Sequence, residues 1–291
     1  MPLLGQDLSR ALSLKVAILG PGLIGGSLAM SLARTPDRFH VSVWARRNTA
    51  AIEAQSILTG CHVVSNLAEA LEHCDIAVLC MSPHAIEESA KSIASLLPKA
   101  AVVTDAGSVK ARIVAAMENV LGDRFIGAHP MAGSEQHGIL AAHHDLYSGA
   151  LCILTPTPLT GARAHDLATQ VWRAAGCSLR EMSPQDHDAA LARVSHLPHA
   201  TASALVRASI SHDPSLAALS GGGFRDSTRI ASGPAPMWSE ILIDNRDALI
   251  GGINDLQNEL QVLKVALENN DRGAVEQYLS EAAQLRTGTP F

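Results

Sequence analysis

The sequence predicts a doubly wound α/β domain followed by an all-helical domain. Short, β-branched apolar runs alternate with helix-like stretches from residue 14 to residue 154. Near-continuous runs of this kind are typical of parallel strands that helices cover on both faces. A glycine-rich turn joins the first run to the first helix-like stretch, and after residue 158 alanine- and leucine-rich sequence replaces the alternation.

Six apolar runs are predicted strands of a parallel sheet, in which right-handed crossovers are the rule. They span residues 15–20, 41–44, 76–80, 101–104, 125–128 and 151–154. Helix-like segments such as 66–72 and 83–97 lie between them. One more helix and a short strand within 176–182 complete this part of the chain, so we predict a first domain of residues 1–182.

The remainder, residues 183–291, is predicted to form the helical domain. A chain of 291 residues has roughly twice the usual domain length, so two domains are expected. Segments 184–211 and 236–268 exceed ordinary globular helix lengths, as helices do when they pack across a subunit interface. We therefore expect a homodimer. Three glycines at 221–223 form a hinge between these segments.

Composition excludes several classes of protein. Hydrophobic residues make up 47% of the chain and charged residues 17%, which excludes a disordered chain. A net charge of −6 with 3% aromatic residues argues against nucleic-acid or membrane partners. The five cysteines form no C-x-x-C pair, so no metal site is predicted. No apolar stretch reaches the ~18 residues of a membrane span, and the start lacks a leader pattern, so a cytoplasmic location is expected.

The glycine-rich turn has the pattern Gly20-x-Gly22-x-x-Gly25. Gly20 permits a tight turn, Gly22 lets the backbone approach a pyrophosphate, and Gly25 lets the helix pack closely on the strand. The start of the following helix adds N–H groups and positive partial charge. Because the pattern lies between a strand and a helix, it predicts a Rossmann-type dinucleotide site rather than a simple turn. Other residues that we assign to the cofactor site are Leu23, Ile24 and Ser82.

The choice between NAD and NADP depends on the residue about 20 positions past the last glycine. That residue is Ala45, and Arg46 and Arg47 follow it. No carboxylate is available there to bind a ribose 2′-hydroxyl, whereas two guanidinium groups can bind a 2′-phosphate. We therefore favour NADP. The alternative is that both arginines are simply solvated at the end of a strand.

Two motifs follow predicted strands at the edge where open α/β sheets bind ligands. In D-A-G-S-V-K, Ser108 faces the crevice, caps the next helix, or does both. In G-A-H-P-M-A-G-S-E, His129 lies a few residues from Glu135, which can orient it and tune its pKa. His129 is therefore the candidate proton acceptor, and a purely structural histidine is the alternative.

The helical domain contributes a histidine pair. The sequence S-H-L-P-H places His196 and His199 on one helical face, and Pro198 is expected to bend or interrupt the helix. A metal site would need a third ligand, which the neighbouring sequence does not offer, so a core or substrate-binding role is favoured. Asp186 and Asp188 are expected to cap the helix that they open.

A charged cluster follows the three glycines. Arg225, Asp226 and Arg229 are expected in a loop-to-helix region. Either they clamp a substrate carboxylate or they form a surface ion pair, and the sequence position favours neither.

In this order, the motifs closely resemble the prephenate/arogenate dehydrogenase family of tyrosine biosynthesis. The resemblance rests on G-P-G-L-I-G-G-S, D-A-G-S-V-K, H-P-M-A-G-S-E, S-H-L-P-H and G-G-F-R-D-S-T-R-I-A, and it spans nearly the whole chain. The dinucleotide motif occurs in many families, whereas the His129 block and the block at 195–199 are specific in combination.

The resemblance implies NAD(P)-dependent oxidative decarboxylation of prephenate or arogenate, giving 4-hydroxyphenylpyruvate or tyrosine, CO₂ and NAD(P)H. By this resemblance His129 deprotonates the ring hydroxyl, Glu135 orients His129, and Ser108 assists at the same hydroxyl. Arg229 holds the ring carboxylate. The other residues assigned to the substrate pocket are His199, Asp226, Trp238, His196 and Arg225. Family members dimerise through the helical domain.

Two alternative functions fit the sequence less well. A β-hydroxyacid-type dehydrogenase usually relies on a lysine in its helical domain, and none lies beside residues 195–199. A non-catalytic NAD(P)-sensing protein would have lost its reactive groups, whereas Ser108, His129 and Arg229 are present. Prephenate and arogenate differ only in a keto or amino side chain, and both remain candidate substrates.

Overall fold

The structure is a computed structural model that describes residues 13–133 and 136–289. Within these ranges, eight strands form one sheet. The strands are β1 (Leu14–Leu19), β2 (Phe39–Trp44), β3 (His62–Val64), β4 (Ile76–Leu79), β5 (Val102–Asp105), β6 (Phe125–Pro130), β7 (Leu151–Thr155) and β8 (Ser178–Glu181). The helices between them are α1 (Leu23–Ala33), α2 (Asn48–Ile57), α3 (Leu67–Leu71), α4 (Pro83–Leu96), α5 (Ala111–Leu121) and α6 (Ala162–Ala175).

The strand order across the sheet is β3-β2-β1-β4-β5-β6-β7-β8. The first six strands in this order, from β3 across to β6, are all parallel to one another. Strands β2 and β3 are added on one side of β1, and the strands from β4 onward are added on its other side. Between β1 and β4 the strand order therefore reverses, and a crevice opens beyond the carboxyl ends of these two strands. The predicted doubly wound α/β fold with a helical second part is confirmed.

The prediction of a parallel strand at 151–154 is wrong. β7 runs antiparallel to β6, with Gly127 opposite Thr155, and β8 then runs parallel to β7. A parallel strand would need a crossover, usually a helix, to bring the chain back to the other end of the sheet. The described part of the β6–β7 connection contains only the 3-10 turn Ile139–Ala141, so the chain returns alongside β6. The sequence pattern also does not predict β3, a three-residue edge strand.

Hydrophobic layers cover both faces of the sheet. In β1, Val16 and Ile18 belong to the layer that contains Trp172 of α6. The intervening Ala17 and Leu19 belong to the layer under α4 and α5. Successive strand residues point to opposite faces, so a strand buried on both sides needs apolar residues at every position. This accounts for the unbroken apolar runs in the sequence.

The helical part begins directly after the sheet. Its helices are α7 (Pro184–Leu191), α8 (Leu197–Ile210), α9 (Gly222–Thr228), α10 (Ala235–Asp244), α11 (Arg246–Glu268) and α12 (Arg272–Gly288). The division predicted between residues 182 and 183 falls in the connection between β8 and α7. Among the described helices, none is both long and apolar enough to cross a membrane.

Both long helical segments predicted from the sequence are divided. A π-helical turn, Ala192–His196, separates α7 from α8. Pro198 in the first turn of α8 has no N–H for the carbonyl group four residues earlier, and a widened turn relieves the clash of its ring with that carbonyl. The segment at 236–268 is divided at Asn245, which ends α10 and precedes α11.

Candidate active site

Gly20 and Gly25 hold the β1–α1 turn against the end of β4. Gly20 has a positive φ of +112°, and a Cβ there would lie 2.4 Å from the carbonyl oxygen of Cys80. A Cβ on Gly25 would lie 2.1 Å from the carbonyl oxygen of Gly20. Any side chain at either position would force the turn open. The tight turn at Gly20 and the close packing of the helix on the strand at Gly25, which the glycine pattern predicts, are therefore both present.

The start of α1 faces open space. Gly22 is the N-cap residue, immediately before α1, and a Cβ built on it meets no atom within 4 Å. No described side chain caps α1, so its first N–H groups and the positive end of its dipole are available to an anion. Leu23 is buried and Ile24 packs on the core, so both residues offer backbone groups here. These features fit the phosphates of a dinucleotide.

The predicted cofactor residues Ala45, Arg46, Arg47 and Ser82 lie after β2 and β4, the strands on either side of β1. Ala45 is buried and its N–H donates to the carbonyl oxygen of Val64, whereas Arg46 and Arg47 are exposed. Ser82 caps α4, accepting the N–H of Ala85 at 3.5 Å. All four therefore lie at the carboxyl edge of the sheet, around the glycine turn.

Ser108 lies in the loop between β5 and α5 and does not cap the helix. α5 begins at Ala111, and Lys110 occupies the N-cap position without a capping side chain of its own. Of the two roles left open by the sequence, helix capping is therefore excluded, and Ser108 stays a candidate for the crevice.

A buried ion pair fixes the two strands beside Ser108. Lys110 Nζ contacts Asp105 Oδ2 and donates to the carbonyl oxygen of Ala128 at 2.8 Å. Asp105 in turn accepts the N–H of Ala128 and the N–H of Gly107, both at 2.9 Å. Neither charged side chain is exposed to solvent. The pair thus ties the end of β5 to the backbone of β6 immediately before His129.

His129 is the first member of a hydrogen-bonded chain. Its Nδ1 lies 2.9 Å from Nε2 of His187, and Nδ1 of His187 lies 2.8 Å from Oδ1 of Asp188. His187 is fully buried, whereas His129 is half-buried at the end of β6. Hydrogen bonds therefore connect two histidines and a carboxylate that come from the two halves of the chain.

Asp188 caps α5 rather than the helix on which it lies. Its Oδ1 accepts the N–H of Lys110 at 2.8 Å, and its Oδ2 accepts the N–H of Ala111 at 2.9 Å. The cap of α7 is Ser183, whose hydroxyl accepts the N–H of Asp186 and donates to its carboxylate. The expectation that Asp188 caps its own helix is wrong, because a carboxylate here reaches the N–H groups of a different helix.

The protonation states follow from these surroundings. Burial alone would raise the pKa of Asp188, but hydrogen bonds from His187 and the backbone of Ala111 and Lys110 hold it below its ordinary value. Burial is the main cause that holds the pKa of His129 well below its ordinary value, and the positive charge of Lys110 adds to it. At neutral pH Asp188 is therefore ionised and His129 is unprotonated on one nitrogen, as a proton acceptor must be.

His196, His199 and Trp238 form a cluster next to this chain. The rings of His199 and Trp238 stack at a centroid distance of 3.6 Å, and His196 lies edge-on to Trp238 at 6.4 Å. Asn245 Nδ2 donates to Nδ1 of His196 at 3.1 Å and to the carbonyl oxygen of Asp188 at 2.7 Å. In the described ranges, no group of three His, Cys, Asp or Glu side chains has the geometry of a metal site.

Three of the remaining predicted residues, Arg225, Asp226 and Arg229, lie in the helical part of the chain. Arg225 and Asp226 are exposed on α9, a helix rather than the expected loop-to-helix region, and Arg229 lies in the 3-10 turn Arg229–Ser232. Substrate clamp and surface ion pair both stay predictions for this cluster. Glu135 lies outside the described residues.

Several residues of this site, among them Asp188, Lys110 and Asn245, are not assigned to it from the sequence. These three act through contacts with residues distant in the chain. A lysine five residues after an aspartate in an otherwise apolar context was the one local signal for the Asp105–Lys110 pair.

Comparisons with known proteins show the family to which the chain is related. The family model "Prephenate dehydrogenase, nucleotide-binding domain" matches residues 29–181, and "Prephenate dehydrogenase, dimerization domain" matches residues 183–281. The cyclohexadienyl dehydrogenase of Zymomonas mobilis is 30% identical over 277 residues, covering 93% of this chain and 94% of that protein.

Two solved structures extend the comparison. Prephenate dehydrogenase from Aquifex aeolicus, in complex with hydroxyphenyl propionate and NAD⁺, superposes with a TM-score of 0.89 at 34% identity. The match covers 96% of this chain and 99% of that one. Synechocystis arogenate dehydrogenase superposes with a TM-score of 0.82 at 27% identity, covering 94% and 99% of the two chains.

Acidification should destabilise the protein through His196. Burial, the largest cause, lowers the pKa of this residue from 6.5 to about 4. Below pH 6.5 the unfolded chain therefore binds a proton at His196 that the folded chain does not bind. The free energy of unfolding should fall by about 1.6 kcal/mol between pH 6.5 and pH 5 through this residue alone. Denaturant unfolding over this range should show a shallower pH dependence for His196→Asn.

The matched control is His73→Asn, because the side chain of His73 is 73% exposed. This variant should keep the pH dependence of the wild type. Identical slopes for the wild type and His196→Asn would contradict the assignment of His196.

Proposed function

The chain belongs to the prephenate dehydrogenase family, and we propose that it catalyses NAD(P)-dependent oxidative decarboxylation of prephenate or arogenate. The observation that carries this proposal is the position of His129. It lies at the carboxyl edge of the sheet that bears the glycine turn, and a line of hydrogen bonds connects it to a carboxylate. The similar proteins are named prephenate, arogenate or cyclohexadienyl dehydrogenase, which supports this substrate class.

His129 handles the proton of the ring hydroxyl. As the O–H bond breaks, the proton forms a bond to a ring nitrogen of His129, and the hydroxyl-bearing carbon becomes a carbonyl carbon as it loses a hydride. The bound nicotinamide supplies the acceptor for that hydride at C4. The electrons of the bond to the departing carboxylate then complete the aromatic ring, and His129 returns the proton to the phenolate oxygen. A general base of this kind contributes roughly 10²–10⁴ to the rate.

Ser108 and Glu135 are proposed to assist His129. Ser108 follows β5, which is adjacent to β6, so its hydroxyl is on the same edge of the sheet as His129. We assign it a hydrogen bond to the substrate hydroxyl. Glu135 follows β6 in the sequence and is assigned the orientation of His129 on the family resemblance alone.

The substrate carboxylates are proposed to bind at the helical side of the crevice. Prephenate is a dianion, so its pocket needs cations, and Arg229 is the proposed partner of the ring carboxylate, with Arg225 and Asp226 nearby in sequence. The stacked pair His199 and Trp238, together with His196, is proposed to form the wall of the pocket. The carboxylate that leaves must not be bound more tightly in the ground state than in the transition state.

A homodimer is proposed for the helical part. Leu260 and Leu267 on α11 and Leu285 on α12 are each more than half exposed in the single chain. The matching family model for residues 183–281 is described as a dimerization domain. Burying these side chains against a second copy would remove apolar surface from water.

NADP is the proposed preferred cofactor. Arg46 and Arg47 are exposed immediately after β2, at the position where a dinucleotide ribose is bound in this fold. The relative from Aquifex aeolicus was crystallised with NAD⁺, so the preference of this chain is a separate question.

A steady-state assay of both substrates against both cofactors tests the proposed activity. The wild type should reduce NAD(P)⁺ with at least one of prephenate and arogenate. His129→Asn should lower kcat by roughly 10²–10⁴ because it removes the proton acceptor, with little change in nucleotide affinity.

His144→Asn is the control for this test, since His144 is exposed and has no assigned chemistry. Absence of turnover with both substrates would refute the proposed function. Wild-type turnover of His129→Asn would refute its role as the base.

Arg46→Asp should shift the cofactor preference toward NAD. A carboxylate there repels a 2′-phosphate and can accept a hydrogen bond from a 2′-hydroxyl. The ratio of kcat/KM for NADP to that for NAD should fall by roughly tenfold or more, the worth of one charge-assisted hydrogen bond. Arg180→Asp makes the same charge change on β8, far across the sheet, and should leave the ratio unchanged. If the two variants behave alike, Arg46 does not select the cofactor.

A further inference from the structure

We propose that His187 and Asp188 are positioning residues that hold His129 as the Nδ1-protonated tautomer, leaving its Nε2 as the atom that accepts the substrate proton. The proposal rests on the proposed function for the role of His129, but the tautomer itself can be measured without substrate. It is carried by the geometry of four hydrogen bonds around Asp188 and His187.

The Asp188 carboxylate is the acceptor at the end of this line of hydrogen bonds. Asp188 Oδ2 accepts the N–H of Ala111 at 2.9 Å, and Oδ1 accepts the N–H of Lys110 at 2.8 Å. Both donors are backbone groups at the start of α5, where negative charge is stabilised. An ionised carboxylate can only accept hydrogen bonds. The nitrogen of His187 that contacts it must therefore carry the hydrogen.

The ring of His187 links this carboxylate to His129. Its Nδ1 lies 2.8 Å from Asp188 Oδ1, so in the neutral ring Nδ1 holds the hydrogen and Nε2 holds a lone pair. Nε2 lies 2.9 Å from Nδ1 of His129. Since an acceptor needs a donor, His129 must carry its hydrogen on Nδ1. The lone pair of its Nε2 is then available to the ring hydroxyl.

His129 gains a positive charge when it takes the proton. Both of its nitrogens then bear hydrogens, and Nδ1–H remains bonded to His187. Burial disfavours the charged form of His129. The ionised Asp188, reached through the polarisable ring of His187, offsets this cost without taking up the proton itself.

These hydrogen bonds join two parts of the molecule. His129 lies on β6, whereas His187 and Asp188 lie on α7. Asn245, at the α10–α11 junction, donates to the carbonyl oxygen of Asp188 and so holds α7 from the opposite side. The reactive tautomer therefore forms only when the helices are seated on the sheet.

Nitrogen-15 NMR of the histidine-labelled wild-type protein tests the tautomer directly. The signals of His129 and His187, identified by their loss in His129→Asn and His187→Asn, should both show the hydrogen on Nδ1. Detection of the Nε2-protonated form of His129 at neutral pH would overturn the proposal. This result does not depend on activity, so it remains informative even if the chain oxidises neither substrate.

Three variants test the consequence for catalysis. Asp188→Asn replaces an acceptor by an amide and should lower kcat roughly 10- to 100-fold, the usual weight of a residue that orients a reactive group. His187→Asn keeps a donor for Asp188, and so keeps α5 capped, but removes the acceptor for His129. It should cause a similar loss in kcat with an unchanged KM for the nucleotide. Asp186→Asn makes the same charge change in the first turn of α7 and should resemble the wild type.

The outcomes separate positioning from folding. If Asp188 served only to cap α5, His187→Asn would retain wild-type kcat, and the proposal would fail. If Asp188→Asn did not fold, His187→Asn and the wild-type spectrum would still decide the question. Loss of kcat in His187→Asn, together with loss of the Nδ1–H signal of His129, is the result that we expect.

Discussion

The hydrogen bonds between the Asp188 carboxylate and the start of α5 are the constraint on which the rest of the site depends. Asp188 lies on α7, whereas α5 follows β5, so one side chain connects the helices to the sheet. The same carboxylate terminates the hydrogen-bonded line that begins at His129. The packing of α7 against α5 and the chemical state of the proton acceptor therefore share one carboxylate.

The second constraint is the buried pair of Asp105 and Lys110. Removing two charges from water is costly, and well-packed apolar residues are often at least as stabilising as such a pair. The cost is reduced here because the backbone of Gly107 and Ala128 satisfies the remaining hydrogen bonds. The pair provides defined geometry: it fixes the strand backbone one residue before His129. The same hydrogen bonds thus offset the cost of burying the two charges and position the backbone that carries His129.

The sequence predicted the features that depend on local steric or periodic demands. The glycine turn was predictable because Gly20 and Gly25 each lie against a backbone oxygen that excludes a side chain. The buried strands were predictable because both faces require apolar residues. The bend near Pro198 was also predictable in kind, although not as a π turn.

Contacts between distant parts of the chain could not be predicted in this way. Ala111 and Asp188 are 77 positions apart, and nothing in either local sequence indicates that one caps the other. The antiparallel direction of β7 depends on the path of the β6–β7 connection, which an apolar run does not reveal. The division at Asn245 likewise coincides with long-range hydrogen bonds from its side chain to His196 and Asp188, which the local sequence does not reveal.

The central claim is that His129 is already unprotonated at neutral pH when it receives the substrate proton. Stopped-flow measurement of hydride transfer in the wild type from about pH 6.5 to pH 8.5 tests it most directly. Since burial keeps the pKa of His129 well below its ordinary value, the rate constant should be independent of pH over this range. A rate constant that rises steadily with pH across the same range would show that the accepting group is still protonated near neutrality, and would contradict the account.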